Sequence, residues 1–302
     1  MKAVNRSALH KKKLGDWVIN TYVGCEHGCR HCYCPAMPGV KFHNEGRTQE
    51  EWGHYLVPKH GIDDALKREL RAFTPTRARR TAWGDGWVLM SFLTDCYTPS
   101  EARHGLTRKC LTLLLEAGHR VRILTRSCLA ERDFDLLSAH PGQVLFGTSV
   151  PYLDDGLARV LEPRACSPTR RLAMLERARN RGISTFAAIA PFLPGHGVED
   201  LEAVVEHVQP LVDREVFSEV LNPKGSNVAM MTEALATAGY RDHLEALQRY
   251  TAAEWAKHTW TILTAGIELS RSWVPWPDTR KAWKNFLSPE QAQTLTGWLP
   301  AP

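Results

Sequence analysis

An alternation of short apolar segments and amphipathic segments between residues 16 and 225 most constrains the fold of this 302-residue chain. The apolar segments are predicted strands at 16–23, 86–93, 119–125, 143–150, 183–190 and 215–221. Predicted helices lie between them, at about 60–73, 100–117, 133–140 and 167–182, and along Leu201, Val204, Val205, Val208 and Leu211. Helical crossovers between strands predict a parallel sheet covered by helices. The fold class is therefore α/β, and about six strand–helix units fit an open, partial (βα)6 TIM-like barrel better than a closed one.

The two ends of the chain depart from this repeat. Residues 1–15 are predicted to form a basic N-terminal arm, and the barrel domain is predicted to cover residues 16–225. Residues 226–302 are predicted to form a mainly helical extension over the barrel or its substrate side, with helix over 230–265. Six of the ten tryptophans fall between residues 255 and 298. Their rings either pack the extension against the open barrel or stack on a base or another flat substrate.

Composition limits where such a protein works and what it contacts. The chain has no run of about 18 apolar residues, so no membrane-spanning helix is expected. Its N-terminus lacks the apolar core of a signal peptide. A cytoplasmic, reducing compartment is therefore expected, where the eight cysteines serve as metal ligands or buried residues rather than in disulfides. The net charge of +5 is modest, so the basic clusters suit either phosphate-bearing partners or an ordinary solvated surface.

Three cysteines directly follow the first predicted strand. Cys25, Cys29 and Cys32 have the spacing C-x3-C-x2-C on one short loop. Thiolates are the ligands of iron–sulfur clusters, so this loop predicts a [4Fe–4S] cluster held at three irons. Because no fourth cysteine falls at a natural ligand spacing, one iron is left open to bind a substrate or a cofactor.

Two other interpretations of this loop stay open. A zinc site would favour C-x2-C pairs, and it would have to take its fourth ligand from Cys34, His27, His31 or His43. The cysteines could also be plain reduced thiols. Cys34 lies one residue past the ideal spacing, so we expect it near the metal rather than bound to it.

The cysteine spacing resembles the signature of the radical S-adenosylmethionine (SAM) superfamily. The resemblance implies a (βα)6 partial barrel with two cofactors, a [4Fe–4S] cluster and S-adenosylmethionine, whose amino and carboxylate groups chelate the open iron. It further implies reductive cleavage to methionine and a 5′-deoxyadenosyl radical, with a flavodoxin or ferredoxin as electron donor. The cofactors carry this chemistry, and the protein supplies orientation and exclusion of water. His31 stands where the superfamily usually has an aromatic residue, so it is expected near the adenine.

Polar residues at the ends of the predicted strands are the remaining candidates for cofactor binding, because loops converge at the carboxyl ends of parallel strands. They are Thr94, Asp95, Thr125, Arg126, Ser127, Ser149 and Asn222. Asp95 with Thr94 is expected to accept from the ammonium group of the cofactor. Arg126, with Ser149 or Ser127, is expected to donate to its carboxylate. Each residue could instead be an ordinary cap or turn residue.

Four strand-end motifs are similar to those of the spore photoproduct lyase-like branch over about residues 16–225. They are Thr94-Asp-x-Tyr-x-Pro-x-Glu101, Leu124-Thr-Arg-Ser127, Leu161-Glu-Pro163 and Ala190-Pro-x-x-Pro-Gly195. True lyases split a thymine dimer and use a cysteine donor before the aspartate, where this chain has Phe92. Tyr33 matches their tyrosine after the third cluster cysteine, whereas His31 replaces the one before it. These departures argue against dimer repair.

Cys96, Tyr97 and Tyr33 remain candidate catalytic residues that relay hydrogen. The alternative for Cys96 and Tyr97 is that they pack beneath their loop. The leading hypothesis is a radical enzyme that rearranges or modifies a nucleobase, a nucleotide or a modified DNA base by lyase- or isomerase-type chemistry. A peptide or small metabolite is a less favoured substrate, since the chain has no cysteine beyond Cys166. The second hypothesis is a zinc-stabilised nucleic-acid-binding module without catalysis.

Overall fold

A mostly parallel sheet forms the centre of the computed structural model, which describes residues 2–7, 14–43, 45–47, 51–76 and 80–251, and positions 253–254, 257–258, 260, 271–273, 288 and 290. Within these residues the sheet has eight strands. In spatial order they are β1 Val4–Arg6, β2 Trp17–Ile19, β5 Trp87–Met90, β6 Arg120–Thr125, β7 Val144–Ser149, β8 Thr185–Phe192, β9 Val216–Val220 and β10 Arg271–Trp273. β1 pairs antiparallel with β2, and every other neighbouring pair is parallel. The predicted α/β partial barrel is confirmed.

Helices follow the strands as the alternation predicts. They are α1 Pro38–Lys41, α2 Ile62–Arg71, α3 Glu101–His104, α4 Leu106–Glu116, α5 Phe134–Ser138, α6 Asp155–Leu161, α7 Pro168–Asn180, α8 Val198–Val208, α9 Asn227–Ala238 and α10 Arg241–Gln248. The helix expected over 100–117 is broken into α3 and α4 because Gly105 adopts a left-handed conformation, with φ of 62°. α7 begins at Pro168, whose fixed φ suits the first helical turn. Within the described residues, none of the helices combines the length and apolarity needed to span a bilayer.

The two faces of the sheet are both buried, but they pack against different partners. On β6, Val121 and Ile123 belong to the main core formed with the helices. Arg122 and Leu124 alternate with them and point into the barrel interior. There Leu124 joins a second apolar cluster, and the Arg122 guanidinium carbon lies 4.1 Å from the ring centre of Phe186. The barrel interior is therefore largely apolar, with a charged side chain set into it.

Short edge elements account for most differences from the predicted architecture. The predicted strand 16–23 is split at Asn20, whose side-chain oxygen accepts from the backbone of Phe92 at 2.8 Å and of Leu93 at 3.0 Å. The chain then leaves the main sheet, and β3 Tyr22–Gly24 pairs antiparallel with β4 Leu56–Pro58. Part of the predicted basic arm forms strand β1, with Val4 buried.

The C-terminal extension is helical where the prediction can be compared, because α9 and α10 fall within it. The sequence missed β10, which lies parallel to β9 and extends the sheet beyond the sixth predicted strand. Of the tail tryptophans, Trp260 packs against the main core. Trp255, Trp276, Trp283 and Trp298 lie outside the described residues, and the domain boundaries remain predictions.

One pair of cysteines departs from the expectation that the chain has no disulfide. Cys128, after β6, and Cys166, before α7, are joined by a disulfide, and their Cα atoms are 6.0 Å apart. That separation is within the usual range for a disulfide. This pair was not predicted, because 38 residues separate the two positions and no spacing pattern connects them.

We expect Gly147→Ala to destabilise the barrel. Gly147 lies on β7 against the ring of Phe186, and a Cβ atom there would lie 2.5 Å from a ring carbon. Overpacking a tight core costs about 1–3 kcal/mol, which chemical denaturation would measure. The matched control is the same change in a Phe186→Leu background, where the ring is gone and the added cost of the alanine should shrink. An equal cost in both backgrounds would contradict this packing argument.

Candidate active site

A cavity of about 210 Å³ opens where the parallel strands end, and it collects most of the predicted site residues. Its lining combines the loop after β3 with the carboxyl ends of β5, β6, β7 and β9. Eleven of the fourteen predicted residues line it, namely Cys25, Cys29, His31, Cys32, Tyr33, Thr94, Asp95, Thr125, Arg126, Ser149 and Asn222. The structure thus brings together residues that are far apart in the sequence, as expected for residues at the ends of parallel strands.

The cysteine loop is held tightly by backbone features. Gly24 starts it with a φ of 84°, which glycine adopts readily. Gly28 packs directly on Gly53, and a Cβ atom on Gly53 would lie 2.6 Å from the Cα of Gly28. The side chain of Glu26 accepts from the backbone and the hydroxyl of Ser100, each at 2.7 Å. These contacts fix the path of the loop between β3 and the rest of the barrel.

The three cysteine sulfurs do not form the compact set of donors that a zinc ion needs. Among the described residues, the donor atoms that cluster within 4.8 Å of one another are those of Cys29, His31 and Glu162, so the sulfurs of Cys25, Cys29 and Cys32 do not all lie that close. A tetrahedral zinc ion would place its sulfur ligands about 3.8 Å apart. A cube binds each thiolate at a different corner and therefore needs a wider spacing.

The compact trio of Cys29, His31 and Glu162 is itself a poor zinc site. The Glu162 carboxylate already accepts from Arg126 at 3.1 Å and from Arg171. Both guanidinium groups are positively charged, so they oppose a divalent cation at this carboxylate. The donor set thus favours cluster ligation by the three cysteines.

Asp95 is the most heavily bonded carboxylate at the strand ends. Its Oδ1 accepts from the backbone of Tyr97 at 2.9 Å and from the hydroxyl of Thr125 at 2.7 Å. Its Oδ2 accepts from the backbone of Arg126 at 2.8 Å and lies 3.4 Å from Nδ1 of His27. Burial alone would raise the pKa of Asp95, but His27 and these donors outweigh it and hold the pKa at about 2.

Arg126 projects into the cavity from the end of β6. Its Nε donates to Oε1 of Glu162 at 3.1 Å, and its Nη2 donates to the backbone carbonyl of Ala190 at 2.6 Å. A guanidinium has five N–H donors, so further donors remain on its cavity side. This arrangement suits the predicted role of Arg126 towards a carboxylate. Ser149 lies nearby and buried, with its backbone carbonyl bonded to Arg171 at 2.8 Å.

Three predicted residues do not line the cavity. Cys96 and Tyr97 are fully buried, and the Tyr97 hydroxyl donates to Asp133 at 3.1 Å, as the packing alternative predicted. Ser127 caps the 3-10 helix Cys128–Asp133 by accepting from the backbone of Leu129 at 3.3 Å. After Asp95 the chain turns inwards, so the side chains of Cys96 and Tyr97 lie in the main core rather than the cavity, and the backbone carbonyl of Cys96 accepts from Thr107 on α4 at 2.6 Å.

The structure also brings in residues that the sequence analysis did not assign to the site. Glu162 contacts His31 at 2.9 Å behind the cysteine loop. Trp52, Phe92, Arg122 and Glu219 line the cavity, and so does Cys34, which was expected near the metal. The quoted motif Leu161-Glu-Pro163 was the available signal for Glu162. Arg122 and Glu219 are charged residues within the otherwise apolar strands β6 and β9, and this pattern could have indicated that they belong to the site.

Comparison with known proteins identifies the family. The family model of the Radical SAM superfamily matches residues 19–208. The uncharacterized protein ORF301 of Acidianus two-tailed virus is 33% identical over 232 residues, which make up 74% of this chain and 73% of that protein. The uncharacterized protein MJ0683 of Methanocaldococcus jannaschii is 29% identical over 210 residues, 70% of this chain and 72% of that protein. The chain belongs to the radical SAM superfamily, which confirms the resemblance, and membership implies a [4Fe–4S] cluster, S-adenosylmethionine and an electron donor.

Solved structures share the fold at low sequence identity. A spore photoproduct lyase variant with dinucleoside spore photoproduct matches with a TM-score of 0.55 and 15% identity, over 77% of this chain and 63% of that one. Streptococcus suis SuiB bound to S-adenosylmethionine matches with a TM-score of 0.55 and 13% identity, over 90% of this chain and 53% of that one. The chain thus spans less than two thirds of either protein, and these likenesses show the fold alone.

We expect Asp95→Asn to destabilise the protein in a pH-dependent way. The ordinary pKa of this carboxyl is 3.8 and its pKa in the fold is about 2, so the charged form contributes about 2 kcal/mol to the free energy of unfolding at neutral pH. That contribution is complete above about pH 4 and is lost as the pH falls through 2. The difference in stability between wild type and variant, measured by denaturation of both metal-free proteins, should therefore shrink as the pH is lowered.

Asp135→Asn is the control for this pH dependence. Its pKa is also about 2 because Arg108 donates to it, but its side chain is 63% exposed. Solvent screening makes such pairs weak. An effect of Asp135→Asn as large as that of Asp95→Asn would show that burial is not what makes Asp95 important.

Proposed function

We propose that this protein is a radical SAM enzyme that abstracts hydrogen from a nucleobase, a nucleotide or a modified DNA base. The observation that carries the proposal is that the three cysteines, Asp95 and Arg126 all line one cavity. When bound, the cluster and S-adenosylmethionine supply one-electron cleavage of the sulfonium to methionine and a 5′-deoxyadenosyl radical, which takes a hydrogen atom from the substrate. Cys25, Cys29 and Cys32 would hold the cluster, with an electron donor such as flavodoxin or ferredoxin.

The residues of this chain would bind and orient the cofactor. Arg126 has N–H donors towards the cavity and would bind the carboxylate, with Ser149 beside it. Asp95 and Thr94, which both line the cavity, would face the ammonium group, and the negative charge of the Asp95 carboxylate would attract it. His31 and Asn222 line the same space and complete the proposed cofactor contacts.

The substrate class is supported by the aromatic lining beyond the cofactor residues. Tyr33 and Phe92 have ring centres 6.5 Å apart, and Trp52 lines the same cavity. Aromatic rings bind flat bases by stacking. Tyr33 remains the candidate for hydrogen relay, because it lines the cavity, whereas Cys96 and Tyr97 are buried away from it. The lyase- or isomerase-type outcome is part of the proposal.

We expect anaerobically reconstituted protein to contain about four irons per chain. With dithionite and S-adenosylmethionine it should form 5′-deoxyadenosine and methionine. Cys29→Ala removes one of three ligands and should lose both the visible cluster absorption and this cleavage. Cys110→Ala is the matched control, because Cys110 is buried in the main core on α4 and should leave the iron content unchanged. Zinc bound in place of iron, with unfolding on its removal, would favour the nucleic-acid-binding alternative.

The substrate class is tested by its effect on the cleavage rate. Oligonucleotides, nucleotides and a mixture of peptides are each added to reconstituted protein, and the formation of 5′-deoxyadenosine is followed. We expect oligonucleotides or nucleotides to raise the rate above the background without substrate. Deuterium from a labelled substrate should appear in 5′-deoxyadenosine, since hydrogen abstraction transfers it there. A response to peptides alone would overturn the proposed substrate class and leave the radical chemistry in place.

A further inference from the structure

A fully buried carboxylate, Glu162, lies behind the cysteine loop and has three partners with positive or titratable side chains. Its Oε1 accepts from Nε2 of His31 at 2.9 Å and from Nε of Arg126 at 3.1 Å, and its Oε2 accepts from Arg171. The side chains of Glu162 and Arg171 are 0% exposed. One carboxylate therefore connects the cysteine loop, the end of β6 and helix α7.

The backbone around Glu162 is fastened to the same elements. The carbonyl of Leu161 accepts from the backbone of Arg30 at 2.7 Å, within the cysteine loop. The backbone N–H of Cys166 donates to the carbonyl of Arg126 at 3.0 Å. These bonds hold residues 161–166 against both the loop and the arginine. The backbone that carries Glu162 is therefore fixed next to the cysteine loop and next to Arg126.

Arg126 is limited by this arrangement to few orientations. Its Nε is bonded to Glu162, and one NH2 hydrogen is bonded to the carbonyl of Ala190 at 2.6 Å. Its side chain is 22% exposed, on the side that lines the cavity. With two donors already bonded, the guanidinium that lines the cavity is held in one plane, and its other N–H donors are left for a ligand. Such fixed donors recognise a carboxylate with little ordering cost on binding.

Stability alone does not explain why this cluster is present. A buried ion pair is weak support for stability, because desolvation of both charges offsets their attraction. Removing one partner is costly, whereas the pair as a whole contributes little. A buried carboxylate with two arginines at the edge of a ligand cavity is better explained by what it does to the cavity.

We infer that Glu162 is a positioning residue, which orients the Arg126 guanidinium towards the carboxylate of the bound cofactor. The inference rests on the proposed function, in which this cavity binds S-adenosylmethionine. Glu162 acts through Arg126 and does not touch the cofactor. Its effect is therefore confined to ligands that carry the carboxylate which Arg126 binds.

The test measures binding rather than turnover. Reconstituted wild type, Glu162→Gln and Arg126→Gln are titrated anaerobically with S-adenosylmethionine and with its decarboxylated analogue, which keeps the adenosine, the sulfonium and the amino group. Glu162→Gln should weaken binding of S-adenosylmethionine by about 10-fold or more, the size of effect typical of residues that orient a ligand. Its effect on the decarboxylated analogue should be within about twofold. In the Arg126→Gln background, Glu162→Gln should have no further effect, as expected of two residues that act as one unit.

Two controls separate orientation from loss of structure. Glu101→Gln removes another fully buried glutamate that is bonded to an arginine, Arg132 at 2.8 Å, outside the cavity lining. It should cost stability without changing either affinity. Glu162→Asp keeps the charge but withdraws the carboxylate from Arg126, and it should show the same selective loss if Glu162→Gln does not fold. Iron content must equal that of wild type in each protein compared.

The possible outcomes are distinct. Equal weakening for both ligands, or an additive effect in the Arg126→Gln background, would show that Glu162 supports the cavity as a whole, and the inference would be wrong. Loss of iron from the Glu162 variants would show that it supports the cluster loop through His31 instead, which also overturns it. Tighter binding of S-adenosylmethionine would mean that the charge of Glu162 opposes the ligand. If wild type binds neither ligand, the proposed function fails and this inference fails with it.

Discussion

Two carboxylates, the buried Glu162 and the largely buried Asp95, hold one arginine at both ends, and the lining of the cavity is arranged around that constraint. Asp95 accepts from the backbone N–H of Arg126, and Glu162 accepts from its side-chain Nε. Each carboxylate also contacts one histidine of the cysteine loop, His27 at 3.4 Å and His31 at 2.9 Å. The loop and the end of β6 are therefore fixed relative to each other by the same two groups.

This arrangement has a cost that apolar packing would not have. Burying charged groups is unfavourable unless every one of them is paired and bonded. Both carboxylates meet that condition, and the pKa of Glu162 is held well below its usual range because Arg171, Arg126 and His31 outweigh the effect of burial. Groups fixed in this way do not need to reorganise when a charged ligand arrives, which is the advantage of a preorganised polar site. A neutral side chain also holds the cysteine loop. Asn227 on α9 donates to the backbone carbonyl of His31 at 3.0 Å and so connects the C-terminal extension to the loop.

The sequence predicted the parts of the fold that follow from periodicity. Apolar runs of strand length and helical spacing located β5 to β9, and parallel topology then predicted that the strand ends would meet. It did not predict contacts across long separations, such as that between His31 and Glu162, 131 residues apart. Prediction from the sequence also failed for two residues that directly follow a residue lining the cavity. Cys96 and Tyr97 follow Asp95 directly, but the chain turns inwards there, so proximity in the sequence did not mean a shared cavity. Strands as short as β1 and β10 carry too few residues for a pattern to show.

The two ends of the cavity are built from different kinds of structure, and this difference bears on which residues select the substrate. The end of the cavity with Asp95 and Arg126 is held by backbone hydrogen bonds and by the Asp95 and Glu162 carboxylates. The lining beyond it consists of side chains from the inner faces of strands and from loops, among them Phe92, Glu219 and Trp52. Side chains of that kind can change between relatives without disturbing the backbone that holds the cofactor end. Phe92 lies in this lining, at the position that the lyase resemblance assigns to a hydrogen-donating cysteine. Under the proposed function, an end fixed for the cofactor and a lining of replaceable side chains would let one barrel serve different substrates.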